Sequence, residues 1–300
     1  MRLIMISAMY ENGGNVFHRH LDGHPQLHVY PFESQLGTRF VEDELLSMFP
    51  FKYRWPEFPL GGNVAGDYEL FFDEEMKTYL RRPGGSKFRD ADLQMTDAER
   101  KEFFLDGMKG RERTRGNLVT AFFEATFKAW KNLTRSGRET FFVGYSPIVV
   151  VDAEKILGDL PDSHIIHIVR NPLACYAETC KRPFPLSLER YTWTWNLVQH
   201  RALVYRDLYP DRVLIIRYED LITRKAETLK DLCGKIGLQG DDCLLFPSWN
   251  GQQLKEAYPW GTIHEPDLSE QETRIAELGP DRKSKIETIS RVFMRELDYD

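Results

Sequence analysis

Residues 3–33 read LIMISAMYENGGNVFHRHLDGHPQLHVYPFE. Leu3 to Ile6 is a short apolar run, the pattern of a strand buried on both faces. Ser7 to Asn15 is polar and contains the pair Gly13-Gly14. Val16, Phe17 and Leu21 then fall at helical spacing, and Asp22-Gly23-His24-Pro25 stops that helix. Strand, glycine loop, helix is an arrangement that binds phosphate. The glycines let the backbone come close, and the unpaired N–H groups at the positive end of the helix face the anion. The same pair also reads as an ordinary turn. It is not the nucleotidase loop GxxxxGK[ST], because no lysine follows and the nearest downstream cation is Arg19.

Gln26 to Tyr30 reads as a second short strand, with Glu33 just beyond its end. Ligands of open α/β sheets bind at the carboxyl ends of strands, so Glu33 is expected near the glycine loop. Further strands are expected at 140–143, at 165–169 with Arg170 at the carboxyl end, and at 213–216 before Arg217-Tyr218-Glu219-Asp220. Helical patterns fill 115–133, 152–160 (with Asp152 as the cap), 173–180, 188–208 and 225–236. Strands that alternate with helices predict a central, mainly parallel sheet flanked by helices, in one α/β domain spanning 1–300. The glycine loop, Arg170 and Arg217 then share one sheet edge, and their convergence favours an anionic ligand. Residues at about 46–116 differ in texture and read as an insertion or lid over the sheet edge, helical at 67–80 and 96–108. Its aromatics Phe49, Phe51, Tyr53, Trp55 and Phe58 either line an acceptor pocket or cover core.

With 42% hydrophobic residues in 300, a sizeable core is available. The formal charge of −6 argues against a general nucleic-acid binder but leaves room for a local basic pocket. Cys175, Cys180, Cys233 and Cys243 form neither a CxxC pair nor a zinc template, which fits a reducing compartment. The N-terminus offers too little for a signal peptide, and no apolar stretch reaches membrane-spanning length. A soluble cytoplasmic protein without membrane or nucleic-acid partners is expected. His18, His20, His24 and His28 cluster in sequence, but the DGHP turn separates them, so no metal site is expected. Trp193 and Trp195 are expected in the core.

Four segments, in order, resemble the sulfotransferases that use 3′-phosphoadenosine 5′-phosphosulfate (PAPS), in the bacterial and Golgi-like branch. GGNVFHRHLDGHPQL at 13–27 stands where that family has its 5′-phosphosulfate loop. LPDSHIIHIVRNPLACYAE at 160–178 resembles its 3′-phosphate segment, VLIIRYEDL at 213–221 a third signature, and RVFMRELDY at 291–299 its C-terminal helix. The resemblance implies a P-loop nucleotide-hydrolase-like fold. It also implies transfer of the sulfuryl group of PAPS, with PAP as product, to a hydroxyl or, in second place, an amine of a small-molecule or carbohydrate acceptor.

By that resemblance Asn12, Gly13, Gly14, Asn15, Val16 and Phe17 hold the 5′ end, and Arg170, Thr179 and Tyr218 the other. Glu33 matches the general base, with His18 and His264 as alternatives. Where the family usually carries Lys or Arg before Ser-Gly-Thr, this chain has Glu11-Asn12-Gly13-Gly14-Asn15, so a cation from Arg19, His18 or elsewhere is expected. Where a serine usually lies eight residues after the strand-end arginine, this chain has Glu178, and Thr179 is expected to take the contact. Arg282-Lys283 is a candidate for the family's C-terminal cationic loop. Two other readings remain at this stage: a P-loop-type kinase of small molecules, and a non-catalytic nucleotide-binding module.

Overall fold

The computed structural model describes residues 2–42, 48–184, 186–254 and 268–299. Five parallel strands form the central sheet: β1 (Arg2–Ser7), β2 (Leu27–Val29), β3 (Phe141–Tyr145), β4 (His164–Val169) and β5 (Val213–Arg217). Their order across the sheet is β2-β3-β1-β4-β5. The chain moves from β1 outward to one side, then returns and continues on the other. The strand order therefore reverses at β1, and the crevice at the carboxyl end of that strand is where such sheets bind ligands.

Alternating side chains explain why the sheet is buried on both faces. Leu3, Met5, Ile165 and Val169 join one apolar cluster, while Ile4, Ile6, Ile166 and Ile168 join the other. The first face is covered by α5 (Arg115–Ala129) and α8 (Leu188–Leu208), each started by a side-chain cap, Thr114 and Ser187 respectively. The second is covered by α1 (Gly14–Leu21) and α10 (Lys225–Ile236), through residues such as Phe17, Leu229 and Leu232.

The stretch from Phe49 to Met108 adds α2 (Val64–Leu70), α3 (Glu74–Arg81) and α4 (Asp97–Met108) to the first face. The single helix expected over 67–80 is broken at Phe71–Asp73. Asp73 there takes a positive φ of 38° and buries its carboxylate against Arg100 Nη1 (2.6 Å) and the Tyr30 hydroxyl (2.7 Å). Phe49, Trp55 and Phe71 are fully buried, so these rings cover core. The chain returns through α6 (Ala153–Asp159), α7 (Pro172–Thr179), α9 (Tyr218–Thr223), a hairpin of β6 (Ser248–Trp249) and β7 (Gln252–Gln253), α11 (Leu268–Glu277) and α12 (Pro280–Glu296).

Other expectations need correction. The helix from Arg115 ends at Ala129, not near 133. Asp152 precedes α6 but makes no side-chain cap; its carboxylate instead binds Arg54 Nε and Nη2 and the Trp55 amide. Trp195 is in the core, but Trp193 is 54% exposed, because two positions apart on a helix point to different faces. Among the described residues no helix is long and apolar enough to cross a membrane.

Candidate functional site

The loop after β1 turns at Glu11 (φ 64°) and Gly13 (φ 85°) and feeds α1 at Gly14. Phe17 N–H donates to Gly13 O, closing the first helical turn. The amides of Gly14, Asn15 and Val16 precede that bond and are left as the helix's free donors. Asn15 is exposed at this end. Both glycines are also required by their neighbours. A Cβ on Gly13 would run into the Tyr218 ring, and one on Gly14 would stand 2.5 Å from Ala8 Cβ and 2.7 Å from the Tyr145 ring. Phe17 is a core residue, with its ring fully buried and its amide already bonded.

Asn12 joins the loop to the neighbouring strand end. Its buried Oδ1 accepts from the Arg170 amide (3.0 Å), and its Nδ2 donates to Tyr10 O (3.0 Å). Arg170 leaves the end of β4, its guanidinium 4.7 Å from the Tyr218 ring centre, donating from Nη1 to Glu11 O and from Nε to Gln271 of α11. Glu178, about two turns further along at the end of α7, sits among cations: Lys181 at 2.8 Å, Arg274 of α11 in direct contact, and Arg170 at 3.9 Å. Burial alone raises a carboxyl, yet the bonds from Lys181 and Arg274 hold Glu178 below its ordinary range. Glu11 forms an ion pair with Arg182 at 2.5 Å.

Tyr145, at the end of β3, stands on the other side of Gly14, and Glu33 follows beyond β2. Ser34 locks that segment to β3: its amide donates to Tyr145 O, and its hydroxyl accepts from the Tyr145 amide (2.9 Å). The Glu33 amide donates to Glu75 of α3 (3.0 Å), and Gln35 Nε2 approaches Glu33 Oε2 at 3.4 Å. Burial and the nearby Glu75 carboxylate push the Glu33 carboxyl up to about 7, while Lys87 and Lys52 oppose the shift. Burial, then the charge of Glu33, raises Tyr10 to about 12 and Tyr145 well above the phenol range, so both stay protonated. Tyr53 packs edge-on against Tyr10 at 5.9 Å.

Several expected residues lie elsewhere. Thr179 is fully buried and donates its hydroxyl to Tyr176 O (2.7 Å), so Glu178 rather than Thr179 faces the cations. His18 is buried, with Arg19 Nη2 2.9 Å from its Nδ1, and burial then Arg19 lower it well below the imidazole range. Arg19 is turned inward to Tyr30 O and Trp249 and brings no charge to the loop. His20 and His24 bind the carbonyls of Leu244 and Gln239, and His28 stacks on Phe127, so the cluster disperses into packing. No group of metal-ligating side chains forms among the described residues. Arg217 stacks over Tyr299 (4.5 Å) on the outer side of β5, away from the loop. Arg282 and Lys283 lie in the first turn of α12, and α11 supplies the cation to α7 instead. His264 lies outside the described residues.

A family model described as the sulfotransferase family matches residues 13–242, from the glycine loop past β5. The chain belongs to the sulfotransferase family. Among solved structures, this sulfotransferase is similar to a sulfotransferase domain from the curacin biosynthetic pathway. That match has a TM-score of 0.56 and 16% identity, covering 100% of this chain and 98% of the other. At that identity the likeness establishes the fold, a P-loop-like α/β sheet. A domain of the Synechococcus PCC 7002 olefin synthase follows at TM-score 0.48 and 17% identity, covering 92% and 93%. A sulfotransferase from Alicyclobacillus acidocaldarius gives 0.44 and 14%, covering 95% of each chain. No curated protein matches the sequence significantly.

The site residues that sequence reasoning passed over are Tyr145, Glu75, Arg182, Lys181, Gln271 and Arg274. Tyr145 obeys the strand-end rule that singled out Arg170. The others come from segments without a motif.

Proposed function

We propose that this sulfotransferase uses PAPS and passes its sulfuryl group to an acceptor hydroxyl, in preference to an amine, with Glu33 as general base. The observation that carries the reading is the join at Asn12. It ties a loop with three free amides to Arg170, while Tyr145 stands against Gly14 and the charge of Glu33 acts on Tyr145 and Tyr10. The amides of Gly14, Asn15 and Val16 hold the 5′-phosphosulfate, and Arg182 supplies the cation that the loop itself lacks. Arg170, its face against Tyr218, pairs with the 3′-phosphate. Lys181 and Arg274 leave Glu178 to join it, and their charge offsets the carboxylate there. The four cysteines are free, in keeping with a cytoplasmic setting.

In the transfer, the acceptor oxygen forms a bond to sulfur while the bond from sulfur to the 5′-phosphate oxygen breaks. PAP leaves with that electron pair, and the acceptor proton passes to Glu33. The transition state is loose, so position and charge carry most of the catalysis. A carboxyl near 7 is matched to this task at neutral pH. The acceptor is a small molecule or carbohydrate that enters beside Tyr10, Tyr53 and Glu33.

Calorimetry with PAP, set against ATP with Mg²⁺, tests the donor. PAP should bind and raise the melting temperature, and ATP with Mg²⁺ should do much less. The reverse order would put the kinase reading in its place, and binding of PAP without sulfuryl transfer to any acceptor would leave a nucleotide-binding module.

A further inference from the structure

We propose that the outer edge of β5 docks a second copy of this chain, with β5 pairing antiparallel to β5 about a two-fold axis at Ile215. β5 ends the sheet, so among the described residues one side of it has no strand neighbour. The register decides which groups are free there. Ile165 pairs with Val213, and its N–H donates to Arg212 O (2.7 Å). In a parallel ladder this turns the polar groups of Leu214 and Ile216 toward β4 and those of Val213, Ile215 and Arg217 outward. The Val213 N–H is already bonded to Tyr209 O (2.9 Å). The Val213 carbonyl, both groups of Ile215 and the Arg217 N–H have no other bond among the described residues.

That set is self-complementary. Across a two-fold axis at Ile215, the two Ile215 residues exchange both their hydrogen bonds. The Val213 carbonyl of each copy then accepts from the Arg217 N–H of the other. Every free group finds a partner, and the Val213 N–H, which has one already, is not needed. A chance strand from another protein would need the same gaps.

The charges beside the strand follow the same symmetry. At the Val213 end, Arg206 is paired with Asp207, and Lys235 is the surplus cation. At the Arg217 end, Asp231, Glu296 and Asp298 outnumber Arg217 itself, beyond the pairs that Arg224 makes with Asp220 and Glu227. Antiparallel pairing sets the cationic end of one copy against the acidic end of the other. Space for this exists in two contiguous cavities of about 300 and 500 Å³ that share Arg206, Leu214, Ile215 and Lys235. Leu208, in the last turn of α8 beside them, is 63% exposed.

Sedimentation velocity on the full chain, at low and high salt and up to about 100 µM, tests this. The wild type should dimerise, more weakly in high salt. Ile215→Pro removes an outward-facing N–H, which an edge strand tolerates, together with the packing of a half-buried side chain. It should raise the dissociation constant by roughly 10–100-fold, with little change in PAP binding. Lys235→Glu, which keeps the strand intact, should also weaken the dimer, and it decides the matter if Ile215→Pro does not fold. A wild type that stays monomeric at low salt and about 100 µM, or a dimer indifferent to both substitutions, would overturn the proposal.

Discussion

The ion pairs beside the glycine loop and those beneath the 48–115 layer use the same residue types in opposite settings. Glu11–Arg182 and Glu178–Arg274 keep one face toward solvent, with Arg182 37% exposed. Arg100–Asp73 is 0% exposed on both sides, and Arg54–Asp152 is nearly so. A half-exposed pair is worth about 0–1 kcal/mol and is readily exchanged for another partner. A sealed pair contributes little against an apolar substitute, but losing one member leaves a buried charge at a cost of about 3–5 kcal/mol. The loop edge is therefore built from charges that can change partners, and the layer from charges that cannot. Glu33 lies on the boundary: its backbone is held by Glu75 of the layer, while its carboxyl is the proposed base.

The largest effect should come from that boundary. Glu33→Gln keeps the shape and removes the base, so turnover should fall about 10²–10⁴-fold in steady-state assays. PAP affinity, measured by calorimetry, should stay within about twofold, because the base does not touch the phosphates. Near-normal turnover would move the base to another group and place Glu33 on the structural side of the comparison.

Arg100→Met should lower stability by about 3–5 kcal/mol in urea melts by leaving Asp73 and Tyr30 without their cation. Adding Asp73→Asn should return part of that loss. A single substitution that costs less than 1 kcal/mol would erase the distinction between the two sets of pairs.

The third prediction concerns pH. The carboxyl of Glu33 is raised from 4.5 to about 7 in the folded chain, so the folded state holds this proton more tightly than the unfolded one. Its contribution to stability is fully present below 4.5 and is lost as pH rises to about 7. Glu33→Gln should therefore gain stability relative to wild type across this window, by at most about 3 kcal/mol. Thermal melts of both proteins at pH 4.5, 6 and 8 check the sign. A constant difference would mean that Glu33 titrates normally.

The smallest effect is expected at Glu178. Glu178→Gln should free Arg274 and Lys181 and strengthen PAP binding by about three- to tenfold, with little change for adenosine 5′-phosphate, which lacks the 3′-phosphate. Equal gains for both ligands would show general attraction to a less acidic edge.

The fold was legible where local pattern and topology agree. The run 3–6, the glycine pair and the stop at Asp22 define a strand, loop and helix on their own, and alternation with later helices leads to a parallel sheet. Arg170 and Glu33 could be nominated because strand ends of a parallel sheet share one edge. Arg19 and His18 looked equally available, but a helix periodicity does not say which polar residues turn inward, and both are buried against Tyr30 and Tyr145. Arg274 and Gln271 reach Glu178 and Arg170 from about a hundred residues away, and only the packing of α11 brings them there. Glu75 is set by the break at Asp73, whose carboxylate is held by Arg100 and Tyr30. None of these long-range demands leaves a trace in local composition.

Asn12 has a mechanical consequence. Its amide is buried and bonded on one side to Tyr10 and on the other to the backbone of Arg170, so the loop and the strand end cannot slide past each other. The two form the jaws of a fixed-gauge caliper. On the proposed reading, a molecule carrying an anion at each end fits only if its own length matches the gap, and one with the right groups a few ångströms too close or too far apart engages one jaw and leaves the other open.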